Sequence, residues 1–266
     1  CGVEVERIEV SRGRATGVSL GDGRVLDADL VVSNADSPYT YKRLIDKAHR
    51  RKYTDERVDR MALSMGLVVV YFGTDRTYPD LAHHTILLGP RYKELLADIF
   101  HKKTLAEDFS LYLHAPTRTD PSLAPAGHEN MYVLAPVPNL DSGTDWAEVG
   151  EAYQERLMSF LEATVAPDLR RHLVTTRLIT PQHFHDELNS LKGAGFSVEP
   201  TLAQSAYFRP HNKSEDVEGL YFVGAGTHPG AGLPGVLCSA KIVDRMVPDL
   251  GTAGNPLDPI AGTHVR

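Results

Sequence analysis

The sequence predicts a mixed fold, with α/β character toward the C-terminal end of the chain and an α+β region before it. Near the C-terminus, an apolar run at residues 220–223 precedes a glycine-rich turn at 224–235 and helical periodicity at 235–247. A second apolar run at residues 30–32 predicts a short strand near the other end. Between these segments, residues 37–201 alternate strand-like and helix-like stretches.

The first residues predict a small antiparallel sheet. Residues 3–10 alternate apolar and charged side chains, which is typical of a strand with one exposed face. Residues 15–20 predict a second strand, Gly21-Asp-Gly a hairpin turn, and residues 24–26 a third strand. We expect the charged face of this sheet to lie in solvent.

The strand at residues 30–32 is wholly apolar, so we expect it to be buried on both faces. Asn34 and Asp36 follow it and allow two interpretations. They mark the end of a strand that lies near a ligand, or they cap a helix predicted over residues 39–47.

The central region predicts an antiparallel sheet with helices on one side. One helix, over 146–165, has an amphipathic pattern. Such layers can enclose a long apolar cavity, and the alternative is a plain hydrophobic core. The predicted strands are 63–72, 85–88, 110–114 and 130–136, and the predicted helices are 92–100, 146–165 and 166–172.

The glycine-rich turn allows several ligand interpretations. One is a dinucleotide pyrophosphate on a G-x-G-x-x-G fingerprint, which Gly224 and Gly226 begin. The third glycine, Gly230, comes one residue late, Pro229 intrudes, and no helix begins at Gly226, so this interpretation is weak.

A second interpretation is the isoalloxazine end of a flavin that is held elsewhere. The amides of Gly235 and Val236 would then face the N1–C2=O edge of the ring, because the start of a helix carries partial positive charge. A third is that the glycines only permit close packing between strand and helix. The predicted helix places Val236, Ala240, Val243 and Val247 on one face.

The same turn carries a family resemblance. Residues 224–235, GAGTHPGAGLPG, resemble the C-terminal flavin signature of the bacterial and fungal type of phytoene desaturase, a carotenoid-forming oxidoreductase. Residues 204–212, 196–200 and 29–36 also resemble motifs of that family. The similarity runs from about the first residue to about residue 250.

The resemblance implies an organisation around FAD. Residues 1–36 and 202–250 would form the remnant of an FAD-binding Rossmann-like domain, and residues 37–201 an inserted substrate-binding domain. Residues 251–266 lack periodicity, so we expect a disordered tail. The implied cofactor-binding residues are Asn34, Ala35, Gly224, Ala225, Gly226, Thr227, Leu233, Pro234, Gly235 and Val236.

The resemblance also implies a chemistry. Members of the family remove hydrogens from a hydrophobic polyene, pass hydride to flavin N5, and are reoxidised by oxygen or a quinone. They contact membranes peripherally, because their substrate is dissolved in lipid. This chemistry requires no strong acid or base from the protein, and the motifs identify no catalytic residue.

The chain departs from the family in one respect. Members open with a strand, a G-x-G-x-x-G turn and a helix that hold the ADP half of FAD, and this segment is missing from the sequence. We therefore expect a C-terminal portion of a larger desaturase. The alternatives are a polyene isomerase or saturase of the same fold, and a flavin-free scaffold without activity.

Composition narrows the function further. The net charge of −7 argues against nucleic acid as a partner. Two cysteines, Cys1 and Cys238, provide no disulfide framework, so we expect a cytoplasmic protein, with any membrane contact at the inner face. We expect Cys238 to be a small core residue. The sequence leaves the oligomeric state open.

The twelve histidines raise the question of a metal site. Adjacent residues on a strand point to opposite faces, so His83 and His84 should not chelate one ion together. His183 and His185 could share a face, but neither pair matches a known metal-binding spacing. We therefore expect no metal site.

Three polar residues lie close to the turn in sequence. Arg209 could bind a flavin oxygen or phosphate, or it could bind loop carbonyls. His211 and His228 are the other two, and His228 could act on a substrate proton or simply fill the loop.

Overall fold

The computed structural model describes residues 2–248, so the predicted tail over 251–266 lies outside the described residues. This part of the chain has mixed helix and sheet content. The strands are β1 (Val5–Ser11), β2 (Arg14–Leu20), β3 (Val25–Asp27), β4 (Val31–Ser33), β5 (Gly66–Thr74), β6 (His84–Leu87), β7 (Leu111–His114), β8 (Glu129–Val137), β9 (Leu173–Ile179) and β10 (Leu220–Phe222). The α-helices are α1 (Ser37–Tyr39), α2 (Asp55–Asp59), α3 (Tyr92–Ala97), α4 (Trp146–Thr164), α5 (Pro181–Asp186) and α6 (Leu233–Met246).

The first sheet is antiparallel in the order β1-β2-β3, as the sequence predicts. Ile8, Ala15 and Leu20 point into the core, and the charged residues between them are exposed. The alternation of the sequence therefore identified both the strands and the face that packs inward.

The two ends of the chain meet in a parallel pair formed by β4 and β10, in which Phe222 lies opposite Ser33. All three residues of β10 are buried. The expectation that β4 is buried on both faces was wrong, because Val32 is 45% exposed. Among the described residues β4 pairs with β10 on one edge, and nothing covers the face that carries Val32.

An aromatic cluster joins the chain ends to the segment that follows β4. The ring of Tyr41 stacks on Tyr53 with centroids 4.1 Å apart, and it contacts Phe222 at 4.9 Å. Ile8 and Leu220 belong to the same buried cluster. This core fixes β10, and with it the start of the glycine-rich turn.

The predicted helix over 39–47 is shorter than expected. It consists of α1 and one π-helical turn, Thr40–Leu44. Asp36 occupies the N-cap position without a side-chain capping hydrogen bond, and its carboxylate instead accepts the N–H of Leu191 at 3.0 Å. The capping interpretation of Asp36 is therefore wrong.

The central sheet is fully antiparallel, in the order β6-β7-β8-β5-β9. Helix α4 packs on one face of it through Tyr153, Leu157 and Leu161, as predicted. Phe184 of α5 packs with Leu67 and Val69 on the opposite face, so the expectation of helices on one side alone was wrong. The predicted helix over 166–172 is only a 3₁₀ turn, Leu169–His172, and the chain then enters β9, which the sequence did not predict.

Helix α6 begins at Leu233 and buries Ser239 and Val243. Ala240, which the sequence placed on the buried face, is exposed. Cys238 is exposed too, so its expected core position was wrong. Apolar periodicity predicted the wrong face of α6, because the face that packs inward is centred on Ser239, whose hydroxyl group is hydrogen-bonded.

Replacing Leu157 by alanine should lower the free energy of unfolding by about 2–5 kcal/mol, because its side chain is completely buried between α4 and the sheet. Urea denaturation measures this loss. The matched control is Ile86→Ala, at a position 69% exposed, which should change stability by about 0.5 kcal/mol at most. Equal losses in both variants would contradict the described core.

Candidate cofactor site

Hydrogen bonds fix the first residues of the glycine-rich turn, where the chain leaves β10. The Val223 N–H donates to Ser33 O at 3.0 Å, and the Gly224 N–H donates to Ser239 Oγ at 2.8 Å. Ser239 in turn donates to Val236 O at 2.6 Å. One buried hydroxyl therefore ties the start of the turn to the first turn of α6.

The end of β4 lies against the same turn. A Cβ on Gly224 would come within 2.8 Å of Asn34 Oδ1, and one on Gly226 within 2.6 Å of Ser37 Oγ. Ser37 donates to Gly226 O at 2.6 Å. Only glycine permits this approach, so part of the glycine content serves close packing between the two chain ends.

The structure brings together five of the predicted cofactor residues in this corner. Four of them line a small cavity of about 180 Å³ beside Asp36 and Ser197. Burial raises the pKa of Asp36, although hydrogen bonds from Ser197 Oγ and Leu191 N and the charge of Arg209 oppose the shift. Four of the five residues are Asn34, Ala35, Ala225 and Gly226, which line the cavity directly, and the fifth, Gly224, contacts Asn34.

Arg209 supports the turn from behind. It is 3% exposed, and its guanidinium donates to Ala225 O at 2.6 and 3.2 Å and to Phe196 O at 3.4 Å. Burial lowers its pKa, and the nearby carboxylate of Asp36 opposes that shift. Of the two interpretations of Arg209, the structure has the carbonyl-binding one.

Thr227 points into the protein and not toward a ligand. Its side chain is completely buried, and its Oγ1 donates to Pro210 O at 2.7 Å. Asn212, which the sequence analysis did not single out, donates to His228 O at 2.8 Å and to Phe222 O at 3.2 Å. Both side chains hold the shape of the turn.

The two candidate histidines also bond to the loop backbone. His228 Nδ1 lies 3.0 Å from Ala206 O, and His211 Nε2 lies 2.9 Å from Tyr207 O. Among the two interpretations of His228, these contacts favour the loop-filling one. Neither histidine lines the larger cavity described next.

A cavity of about 530 Å³ opens beside the second half of the turn. This volume falls in the range of small-molecule sites, roughly 300–1,000 Å³. Gly230 and Gly232 have φ values of +134° and +93°, and a Cβ on Gly232 would meet nothing within 4 Å. Bare backbone therefore faces open space here. The walls are Ser64, Met65, Phe100, Phe196, Val198, Pro200, Ser205, Arg209, Pro229, Gly230, Ala231 and Gly232.

Helix α6 begins at the edge of this cavity. The Val236 N–H donates to Gly232 O at 2.9 Å, so the prediction that this amide faces a ligand was wrong. No backbone hydrogen bond from the Gly235 N–H occurs among residues 2–248. Leu233 is 82% exposed and Pro234 is exposed as well. The positive end of the helix dipole is thus presented by the N–H groups of Leu233 and Gly235, for which no backbone acceptor occurs in the described part of the chain.

Residues 1–243 match the model of the family described as flavin containing amine oxidoreductase. The chain belongs to this family. The bare backbone around Gly232 and the amide of Gly235 fit a cofactor with a flat ring that gains negative charge when it is reduced, so the donor set agrees with the family's use of FAD.

The relatives of this flavin-family chain include several carotenoid enzymes. A neurosporene-forming phytoene desaturase of Rhodobacter capsulatus is 51% identical over 92% of the chain and 48% of its own length. A lycopene-forming phytoene desaturase of Paracoccus sp. is 50% identical over 94% of the chain and 50% of its own. The resemblance inferred from the motifs is confirmed, and the chain spans about half the length of the relatives it matches.

Solved structures support the fold. An oxidoreductase from Methanosarcina mazei aligns with a TM-score of 0.59 at 22% identity, over 92% of this chain and 49% of the other. A putrescine oxidase variant aligns with a TM-score of 0.55 at 12% identity, over 91% and 49%. None of the helices within residues 2–248 combines the length and apolarity that crossing a membrane requires.

Replacing Arg209 by leucine should lower the free energy of unfolding by about 1–3 kcal/mol, because the buried carbonyl of Ala225 would lose its donors. Chemical denaturation measures the change. Arg171→Leu, at an exposed position, is the control and should have little effect. A loss no larger than that of the control would contradict the supporting role of Arg209.

Proposed function

We propose that this chain is the C-terminal part of an FAD-dependent phytoene desaturase. The observation that carries the proposal is about 50% identity to phytoene desaturases over more than nine-tenths of the chain. The cavity beside the glycine-rich turn supports it, since this cavity joins an exposed helix start to apolar walls.

The composition of the cavity favours a hydrocarbon substrate over an amine. Arg209 is the one ionisable residue among its described walls, and its guanidinium is already bonded to Ala225 O. No carboxylate is available there to bind an ammonium group. Met65, Phe100 and Phe196 supply apolar surface instead, which an uncharged polyene would contact favourably.

FAD would be held at the turn by the backbone of Gly230 and Gly232 and by the amide of Gly235, with Asn34 and Ala35 on the side of β4. When bound, FAD supplies a ring that accepts hydride. The remaining implied residues have supporting roles: Thr227 and Ser239 fix the turn, and Leu233 and Pro234 set the start of α6.

The residues of the chain itself would orient the substrate and exclude water. Apolar walls keep water away from the reacting carbons, and this makes the helix-start charge more effective. Loss of a hydride from an allylic carbon, for which bound FAD would be the acceptor, would leave a cation that the substrate's own double bonds stabilise. The neighbouring carbon would then lose a proton to a weak base such as a solvent molecule, so no strong acid–base pair is required. The cavity walls agree with this requirement, because their one ionisable residue, Arg209, is already hydrogen-bonded to Ala225 O.

The organisation that we propose assigns residues 1–36 and 202–250 to a Rossmann-like FAD-binding domain and residues 37–201 to a substrate-binding domain. The pairing of β4 with β10 supports the first assignment, and the separate core under α4 supports the second. A cytoplasmic protein that contacts the membrane peripherally, with quinone or oxygen as electron acceptor, would suit a lipid-dissolved substrate.

The function is tested with the longest open reading frame that contains this sequence. The purified protein should show flavin absorbance and convert phytoene in liposomes into products with longer conjugation, in the presence of oxygen or a quinone. Products of unchanged conjugation would favour an isomerase, shorter conjugation a saturase, and absence of both flavin and products would contradict the proposal.

The flavin site is tested by Gly232→Val. A side chain at this position would project into the space beside the turn, so flavin affinity should fall at least tenfold, as measured by quenching of FAD fluorescence. Gly127→Val is the matched control, because Gly127 also has a positive φ, of +78°, and open space around its Cβ position. An equal loss of affinity in both variants would indicate general damage and would contradict the assigned site.

A further inference from the structure

Three histidines converge at one edge of the central sheet. His84 is the first residue of β6 and lies directly opposite His114, the last residue of β7. His83 comes directly before β6, and its ring packs against the rings of His84 and His114. Each of the three offers one ring nitrogen, and these nitrogens all lie within 4.8 Å of one another.

This convergence corrects the expectation that His83 and His84 could not share an ion. The alternation of side chains applies within a strand, but His83 lies just before β6 begins. Its carbonyl accepts the N–H of Ala115 at 2.9 Å, and its ring centroid lies 4.3 Å from that of His84. The chain bends at His83, and the ring centroids of His83 and His84 lie 4.7 and 5.1 Å from that of His114.

Hydroxyl groups hold two of the rings in place. His83 Nδ1 lies 2.5 Å from Thr119 Oγ1, and His84 Nδ1 lies 2.6 Å from Tyr112 Oη. His83 Nε2 shares a hydrogen bond with His114 Nε2, which a bound metal ion would replace. In metal sites the remote ring nitrogen commonly donates to a carboxylate, a backbone carbonyl or water, and a hydroxyl oxygen can accept in the same way.

The remaining nitrogens are close to the spacing of metal ligands. His83 Nε2 and His114 Nε2 lie 2.8 Å apart. Two imidazoles on one tetrahedral zinc ion, with Zn–N bonds of about 2.05 Å, have nitrogens roughly 3.3 Å apart. Binding one ion would require the rings to turn, both to open this pair and to bring in His84, whose ring is stacked on that of His114 with centroids 5.1 Å apart.

We propose that His83, His84 and His114 bind one divalent transition-metal ion of the zinc class, with a solvent molecule as the fourth ligand. Three imidazoles suit zinc, copper, cobalt or nickel. His84 is exposed, so ions can enter from solvent. The ion would fasten the edge strand β6 to β7.

This site is independent of the proposed flavin chemistry. None of the three histidines lines the cavity beside the glycine-rich turn. An inactive or flavin-free protein can therefore still bind the metal, and a failure to bind metal would leave the proposed desaturase function unaffected.

The probe is Co²⁺, added after treatment with a chelator to the untagged protein that is expressed from the longest open reading frame containing this sequence. We expect one equivalent to bind, with the strong visible absorbance of a four-coordinate cobalt site, and Zn²⁺ should displace it. His84→Gln and His114→Gln should each weaken binding at least tenfold. Tyr112→Phe should weaken it roughly tenfold through loss of the hydroxyl on His84.

The matched control is His101→Gln, at an exposed histidine away from this sheet edge, which should bind Co²⁺ like the unaltered chain. Thermal denaturation checks folding, and bound metal should raise the melting temperature of the unaltered chain but not of His84→Gln. Binding that fails to saturate at one equivalent, or that survives both triad substitutions in folded protein, would overturn the proposal.

Discussion

The parallel pairing of β4 with β10 is the contact on which the rest of the molecule depends, because it brings the two ends of the chain to one place. Ser37 donates to Gly226 O across 189 positions of sequence. Closing a loop of that length costs about 5 kcal/mol in entropy. Leu220 and Phe222 are completely buried, and each contributes about 1.5–3 kcal/mol, so the strand itself roughly offsets the cost of closure.

A second contact between distant parts of the chain also holds its two ends together. The carboxylate of Asp216 accepts the N–H groups of Arg51, Lys52 and Tyr53 at 2.7–3.0 Å. The glycine-rich turn follows a few residues after this anchor. Its conformation therefore depends on contacts that are remote in sequence, and local glycine content alone does not determine it.

Local patterns in the sequence predicted much of the fold and less of the site. The strands with continuous or alternating apolar residues, including β1, β5 and β8, were found because burial imposes that periodicity. Strand β9 was missed, since it lies at the sheet edge with residues 174–177 exposed. Cys238 was misplaced because Ser239, a polar residue, occupies the buried face of α6.

Local sequence patterns also fail to predict side chains whose contacts lie far away in the sequence. Arg209 and Asn212 support the turn through carbonyl groups that no motif reveals. The histidine cluster depends on the register of β6 against β7 and on where β6 begins. By contrast, the closeness of Asn34 to residues 224–226 follows from the family resemblance, and the structure brings these residues together.

The turn separates support from recognition. Its rigidity comes from Arg209, Thr227 and Ser239, whose polar atoms are already bonded to main-chain groups. The surface that faces the larger cavity consists mainly of backbone and of apolar walls such as Met65 and Phe196, and Arg209, which also lines it, is bonded to Ala225 O. Substitutions in those walls can therefore change the length or shape of molecule that fits while leaving the scaffold intact. Diversification of such a pocket among related proteins then requires few compensating changes elsewhere.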